Sequence, residues 1–247
     1  MKMKDKKAVQ AAEKAERKQQ ERAAKLQKRD KEPALDRRIS GRSIRPTILI
    51  VREGENTEKH YFEQFRQATC TFLFKGAGTN TKSLIAKAKK EQENGDFEEV
   101  WCVFDKDSFP LENFDNAINE ARAADFKIGW SNQSFEYWLL LHFEDHQGAG
   151  MDRKRYADKI NGYLKKLGAH YDGEGSKTIT DRFFNLLEGV DEMGRSRRAL
   201  AIQRAKRNHK HFEESGTTPA NSESCTTVYT LVEGLLKFLP IPEAIAG

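Results

Sequence analysis

The run Thr47-Ile48-Leu49-Ile50-Val51 constrains the chain most. It is short, continuous, apolar and β-branched, which suits a strand buried on both faces better than one with a wet side. It stops at Arg52-Glu53-Gly54-Glu55. Asn56 or Thr57 can then cap a helix in which Tyr61, Phe62 and Phe65 recur at helical spacing. The unit repeats. An extended stretch, 69–74, turns at Gly76 and Gly78 into a predicted helix over 81–94, closed by Gly95. A third strand, Val100-Trp101-Cys102-Val103-Phe104, runs into Asp105-Lys106-Asp107. A helix over 111–124, a strand over 126–130 and a strongly apolar helix over 135–143 complete the pattern. Strands separated by helices predict an α/β fold, a mainly parallel Rossmann-like sheet with helices on both faces.

Beyond Gly148 three helices are expected, over 153–167, 195–214 and 224–238, with glycine-rich connections and no evident strand. Their modest apolar stripes suggest a helical annex on the sheet. The organisation expected is a basic extension over 1–45, an α/β core over 46–147 and the annex over 148–247 completing the same domain. Residues 1–45 hold 16 Lys/Arg against 7 Asp/Glu, a net of +9, whereas the remaining residues hold 27 against 31. The basicity thus sits in the extension, either a solubilising, partly helical segment or a phosphate-contacting arm. No stretch approaches the ~18–20 apolar residues of a spanning helix, and no apolar core follows the first lysines, so a cytoplasmic protein with no membrane contact is expected. Cys70, Cys102 and Cys225 are far apart and are expected to be reduced thiols.

Ligands of open parallel sheets collect outside the carboxyl ends of the strands. Those ends carry acids here. Glu53 follows the first strand; Asp105 and Asp107 follow the third, and in an extended segment residues two apart point the same way. Few, hard oxygen ligands suit Mg²⁺ or Mn²⁺ better than zinc. The same acids could simply cap the following helices, or belong to an aspartate-phosphorylated receiver, although that would want its acidic pair after the first strand. Other signals are weaker. The segment 76–83 lacks the second glycine of a phosphate-binding loop, having Thr81 before Lys82. His142 and His146 share a helical face without a third zinc ligand. The basic crowd Arg195, Arg197, Arg198, Arg204, Lys206, Arg207, His209, Lys210 and His211 is a solvated face or, by a small margin, a phosphate-tracking surface.

Three ordered stretches, 48–62, 100–107 and 131–143, resemble the blocks of the RloB-like family, and Thr226-Thr-Val-Tyr-Thr-Leu-Val-Glu-Gly-Leu235 resembles a weaker fourth. That family is similar to Toprim domains, the metal-dependent fold of topoisomerases, primases and OLD-type nucleases. It is encoded among bacterial restriction and phage-defence genes, often beside an AAA or ABC-type ATPase. The resemblance implies a Toprim-like sheet, and a Mg²⁺-dependent (or Mn²⁺-dependent) endonuclease acting on DNA or RNA, tRNA included. It also implies a role as the antiviral effector of an abortive-infection pair with an ATPase partner; a homodimer is left open. By position Glu53 matches the Toprim glutamate, with Gly54 after it, and Asp105 and Asp107 match the Asp-x-Asp. These three become the expected metal ligands and catalytic residues. Asn132 and Glu136 fall in the third block, and Glu136 is a catalytic candidate that could equally complement a helix N-terminus; Glu58 and His142 rank below it. The chain departs from the family at Asn132-Gln133-Ser134, where a proline or cysteine is usual, and at Asn221-Ser222 in place of Asn-Pro. Rival readings are a non-catalytic adaptor or nucleic-acid-binding subunit of an ATPase complex, and a nucleotidyl transferase.

Overall fold

Strand β1 (Thr47–Arg52) lies inside the sheet, with β2 (Thr71–Gly76) paired parallel on one side and β3 (Glu99–Asp105) parallel on the other. The computed structural model describes residues 47–54, 56–65, 71–76, 81–106 and 111–238. Strand β4 (Lys127–Asn132) continues the parallel order beyond β3, and β5 (Cys225–Thr226) closes the edge antiparallel, giving β2-β1-β3-β4-β5. Helix α1 (Thr57–Glu63) leads from β1 to β2, and α2 (Thr81–Asn94) leads back across β1 to β3. The winding therefore reverses between β1 and β3, and a crevice opens outside their carboxyl ends.

Strands β1 and β3 are buried on both faces, as their apolar runs require. Ile48 and Ile50 of β1 and Trp101 and Val103 of β3 join one apolar cluster, while Leu49, Val51, Val100, Cys102 and Phe104 join the other. Successive strand residues point to opposite faces, so one run feeds both. The second cluster is roofed by Leu84 and Ile85 of α2 and by Phe114 and Ile118 of α3 (Leu111–Ala123). The first takes Tyr61 and Phe62 of α1, Trp138 of α4 (Glu136–Leu140), and the annex. There α5 (Lys154–Lys166) contributes Tyr156, Ile160 and Leu164, one stripe four residues apart. Helices α6 (Asp181–Glu188), α7 (Arg197–Glu214) and α8 (Val228–Leu236) add Phe183, Ala201 and Leu231.

The sheet, the parallel order and the two helical layers agree with expectation, but several details differ. The annex holds four helices among the described residues rather than three. Helix α6, whose Thr180 N-cap accepts from Phe183 N, shows too few turns to register as a period. The annex also contains a strand: β5 precedes α8, so the helix expected from 224 begins only at Val228. Two residues cannot display alternation; the pairing is fixed instead by hydroxyls, Thr227 Oγ1 accepting from Trp130 N at 2.9 Å and Thr226 Oγ1 standing 3.0 Å from Ser131 Oγ. Helix α4 is shorter than 135–143, because His142 and Phe143 turn to the tighter i−3 carbonyls of Leu139 and Leu140. Asn56 stands at the N-cap of α1 without a side-chain cap bond, and the Thr57 hydroxyl is engaged by the annex instead. The extension over 1–45, Cys70 and most of the glycine turn at 76–80 lie outside the described residues. Cys102 and Cys225 are buried free thiols, and no helix among the described residues is long and apolar enough to cross a membrane.

Candidate active site

Four carboxylates line one cleft of about 400 Å³ at the β1/β3 reversal: Glu53, Glu58, Asp105 and Glu136. Each is put there by a different element. Glu53 leaves β1 with its backbone N–H still bonded to Val103 O of β3 at 3.0 Å, so the side chain starts from a fixed point. Its Oε2 is buried and has no hydrogen-bond partner among the described residues. Burial first, then the charge of Glu58, push its carboxyl up to about 7, against the opposing pull of the Asp105 backbone N–H. A methyl at Gly54 would meet the Glu58 carboxylate, which would have to shift. The Gly54 carbonyl accepts from Arg52 Nη1, which braces the turn.

Glu58, in the first turn of α1, is 5% exposed. Its carboxyl is also raised to about 7, by burial and the Glu136 charge, with its own backbone N–H, Arg52 and Lys177 opposing. Asp105 ends β3. Its Oδ2 accepts from Phe135 N at 3.0 Å, so the turn into α4 aims the carboxylate. Burial, then Glu58 and Glu136, hold it well above the usual range, against the Phe135 N–H and Arg153. Glu136 opens α4 and is buried; its Oε1 accepts from Tyr171 Oη at 2.8 Å. Tyr171 stands 3.0 Å from Thr57 Oγ1, which donates to the Lys177 carbonyl at 3.2 Å. Arg153 and Lys177 supply the positive wall from the annex. Lys177 has φ +50°, a left-handed backbone that a non-glycine residue adopts only under constraint, and it follows a turn in which Asp172 accepts from Gly175 N and Ser176 N.

The cleft therefore brings together three of the four expected residues, Glu53, Asp105 and Glu136. The fourth, Asp107, lies outside the described residues; β3 ends at Asp105. Among the described residues no three His, Cys, Asp or Glu side chains stand together as a metal-ligating group. Asn132 does not reach the cleft. It is fully buried, and its Nδ2 donates to the carbonyls of Pro219 and Ala220, clamping β4 to the short 3₁₀ turn Pro219–Asn221. His142 is buried on α4's continuation with Nδ1 3.0 Å from Trp138 O. Glu58 ranked low from sequence although it sits in the first motif block. Tyr171, Arg153 and Lys177 carried no sequence signal, and Thr57 signalled only a helix cap, because a loop more than a hundred residues away from Thr57 completes the wall.

The basic crowd on α7 is largely closed on itself. Arg195 pairs with Asp191, Arg198 with Glu188, Lys206 with Glu233, Arg207 with Asp145 and Lys210 with Glu214. These intramolecular pairs weaken the case for a phosphate-tracking face there.

A family model described as RloB-like protein matches residues 48–235, from β1 to α8 and across every cleft residue named above. No curated protein and no solved structure matches the chain. Since the matched span covers well over half of the sequence, and contains the sheet, the annex and the carboxylate cleft together, the chain belongs to the RloB-like family.

Proposed function

We propose that the cleft is a Toprim-like, Mg²⁺- or Mn²⁺-dependent phosphodiesterase site, and that the protein is a nuclease acting as the effector of an anti-phage pair with an ATPase. The observation that carries this is the convergence of Glu53, Glu58, Asp105 and Glu136 at the strand reversal. Carboxylates crowded into a half-dry cleft repel one another and hold protons near neutrality, and a divalent cation among hard oxygen donors relieves that repulsion. The buried, unpartnered Oε2 of Glu53 fits such an ion. Glu53 and Asp105 would hold it, with Asp107 following β3. The bound metal would supply charge neutralisation at a phosphate oxygen and a more acidic water.

The chain's own groups would do the rest. As the alternative to holding the ion, Glu53 would take a proton from the attacking water or return one to the leaving oxygen. The Phe135 N–H keeps Asp105 turned into the cleft, and the Tyr171 hydroxyl keeps Glu136 from swinging. Lys177 and Arg153 face the acids across the cleft, where a phosphodiester would lie between the two charge signs.

The test is cleavage of labelled plasmid, single-stranded DNA and total tRNA with Mg²⁺ or Mn²⁺, beside Asp105→Asn and Glu53→Gln. Metal-dependent cutting lost in both variants is expected, and the substrate that is cut identifies the class. An adaptor that only docks on an ATPase would tolerate both substitutions. No cutting together with no metal binding by calorimetry would sink the nuclease reading.

A further inference from the structure

Four buried polar atoms, each on a different side chain, have no hydrogen-bond partner among the described residues: Tyr61 Oη of α1, Trp138 Nε1 of α4, His142 Nε2 on the continuation of α4, and Glu188 Oε1 at the end of α6. They are neighbours. The Tyr61 ring lies 6.4 Å from the rings of both Trp138 and His142, and those two rings are 4.8 Å apart. Glu188 belongs to the same group, because after burial its charge does most to push the Tyr61 phenol above its ordinary range, with the nearby Trp138 N–H and the Arg198 guanidinium opposing. Arg198, which pairs with Glu188 Oε2, also bears on His142. Tyr61, Trp138 and His142 are at most 1% exposed. Folded proteins leave few such atoms unsatisfied, and four in one place call for a common partner.

The hydrogen-bonding character of the four atoms says what that partner is. His142 Nδ1 stands 3.0 Å from the Trp138 carbonyl oxygen, which only accepts, so the proton sits on Nδ1 and Nε2 presents a lone pair. Burial pushes this imidazole down to about 3, and the ring is neutral at physiological pH. Glu188 meets Arg198 through Oε2, which leaves Oε1 as a second acceptor. The Trp138 indole nitrogen only donates, and the Tyr61 hydroxyl has its proton to give. The group thus offers two donors and two acceptors. A cation would be repelled by the N–H and O–H dipoles, and among the described residues no three His, Cys, Asp or Glu side chains stand together to hold one. An anion would face the Glu188 carboxylate and the imidazole lone pair. Water accepts twice and donates twice, and a buried water makes about two to four hydrogen bonds.

We propose that Tyr61, Trp138, His142 and Glu188 bind one ordered water, which accepts from the Tyr61 hydroxyl and the Trp138 indole N–H and donates to His142 Nε2 and Glu188 Oε1. The water joins α1, α4 and α6, so the two helices whose first turns carry Glu58 and Glu136 are tied through it to the annex. The proposal does not depend on the nuclease reading.

A crystal structure of the full chain, at a resolution that shows ordered waters, tests it, with a second data set from a bromide-soaked crystal. The expected result is a density peak about 2.7–3.2 Å from at least three of the four atoms, with no anomalous signal after the soak. Absence of the peak, or the four side chains bonded directly to one another, would overturn the proposal, and bromide in its place would make the site an anion site instead. Urea denaturation of Tyr61→Phe, Glu188→Gln and the double variant gives the measurement in solution. Tyr61→Phe removes one oxygen and keeps the ring, so the core stays filled. Because a shared water lost with one partner is not lost again with the other, the double variant should lose less stability than the sum of the two single losses. Strictly additive losses would overturn the shared site.

Discussion

Glu53 and Glu58 both hold protons up to about pH 7, whereas an ordinary glutamate releases them near 4.5. Between those values the folded chain binds more protons than the unfolded one. Their stabilising contribution is therefore full below pH 4.5 and is lost as pH rises through 7. Buried His142 acts oppositely: its imidazole is pushed down to about 3, so its cost fades as pH rises from 3 to 6.5. The wild-type curve is a sum, and the difference between wild type and Glu53→Gln isolates the carboxylate. In metal-free buffer Glu53→Gln should gain Tm over wild type as pH goes from 5 to 8. Mg²⁺ should raise wild-type Tm more at pH 8 than at pH 5.5, and a variant advantage that shrinks with pH would contradict the assignment. A second prediction concerns Lys177. If it meets the substrate phosphate, Lys177→Ala should raise KM roughly tenfold, the loss of one charge-assisted contact of about 1.5 kcal/mol, with Tm unchanged. An unchanged KM would remove it from the site. Glu53 and Asp105 were legible in the sequence because a strand's end locates the residue that follows it. Lys177 and Tyr171 were not, because no local period relates a loop to the end of β1 more than a hundred residues earlier.

Periodicity made the long elements readable: the Thr81–Asn94 helix matched its expected bounds, and the apolar runs of β1 and β3 became central strands. Short elements held by specific hydrogen bonds escaped it, as β5 and α6 did, although Thr180 before two phenylalanines and Gly189 after Glu188 were there to be read as cap and stop. Helix α4 was legible in place and wrong in length, and its start carries the site. Phe135, fully buried, packs edge-on against Tyr61 and Phe62 at 5.5 and 5.7 Å, while its N–H holds Asp105. Phe135→Ala keeps that N–H but empties the joint between α1 and α4. It should cost about 3–5 kcal/mol by urea denaturation, and metal affinity should fall with it as the turn loosens. Phe135→Leu should cost much less on both counts. Equal losses for the two would mean that the ring does more than fill volume.

At the scale of the whole molecule, charge and chemistry are separated along the chain. The residues beyond 45 carry a net of −4, and the basic side chains of α7, with Arg195 before it, are largely paired with Asp145, Glu188, Asp191, Glu214 and Glu233. A folded body of that kind attracts a polyanion only at close range, through Lys177 and Arg153 beside the cleft. If the protein acts on nucleic acid as proposed, the extension over 1–45, with a net of +9, is the segment whose charge would draw it from a distance. Each phosphate neutralised by such an arm releases condensed counterions, so the slope of log K against log salt becomes steeper by about 0.7–0.9 per contact. Replacing the Lys and Arg residues of 1–45 by Gln should therefore flatten the salt dependence of nucleic-acid binding, measured by fluorescence anisotropy, by several such steps. It should leave cleavage of already bound substrate, measured in single turnover, within about twofold, because none of the proposed catalytic carboxylates lies in that segment. A slope that does not change would mean that binding is driven by the body, and the paired face of α7 would then have to open on contact with nucleic acid.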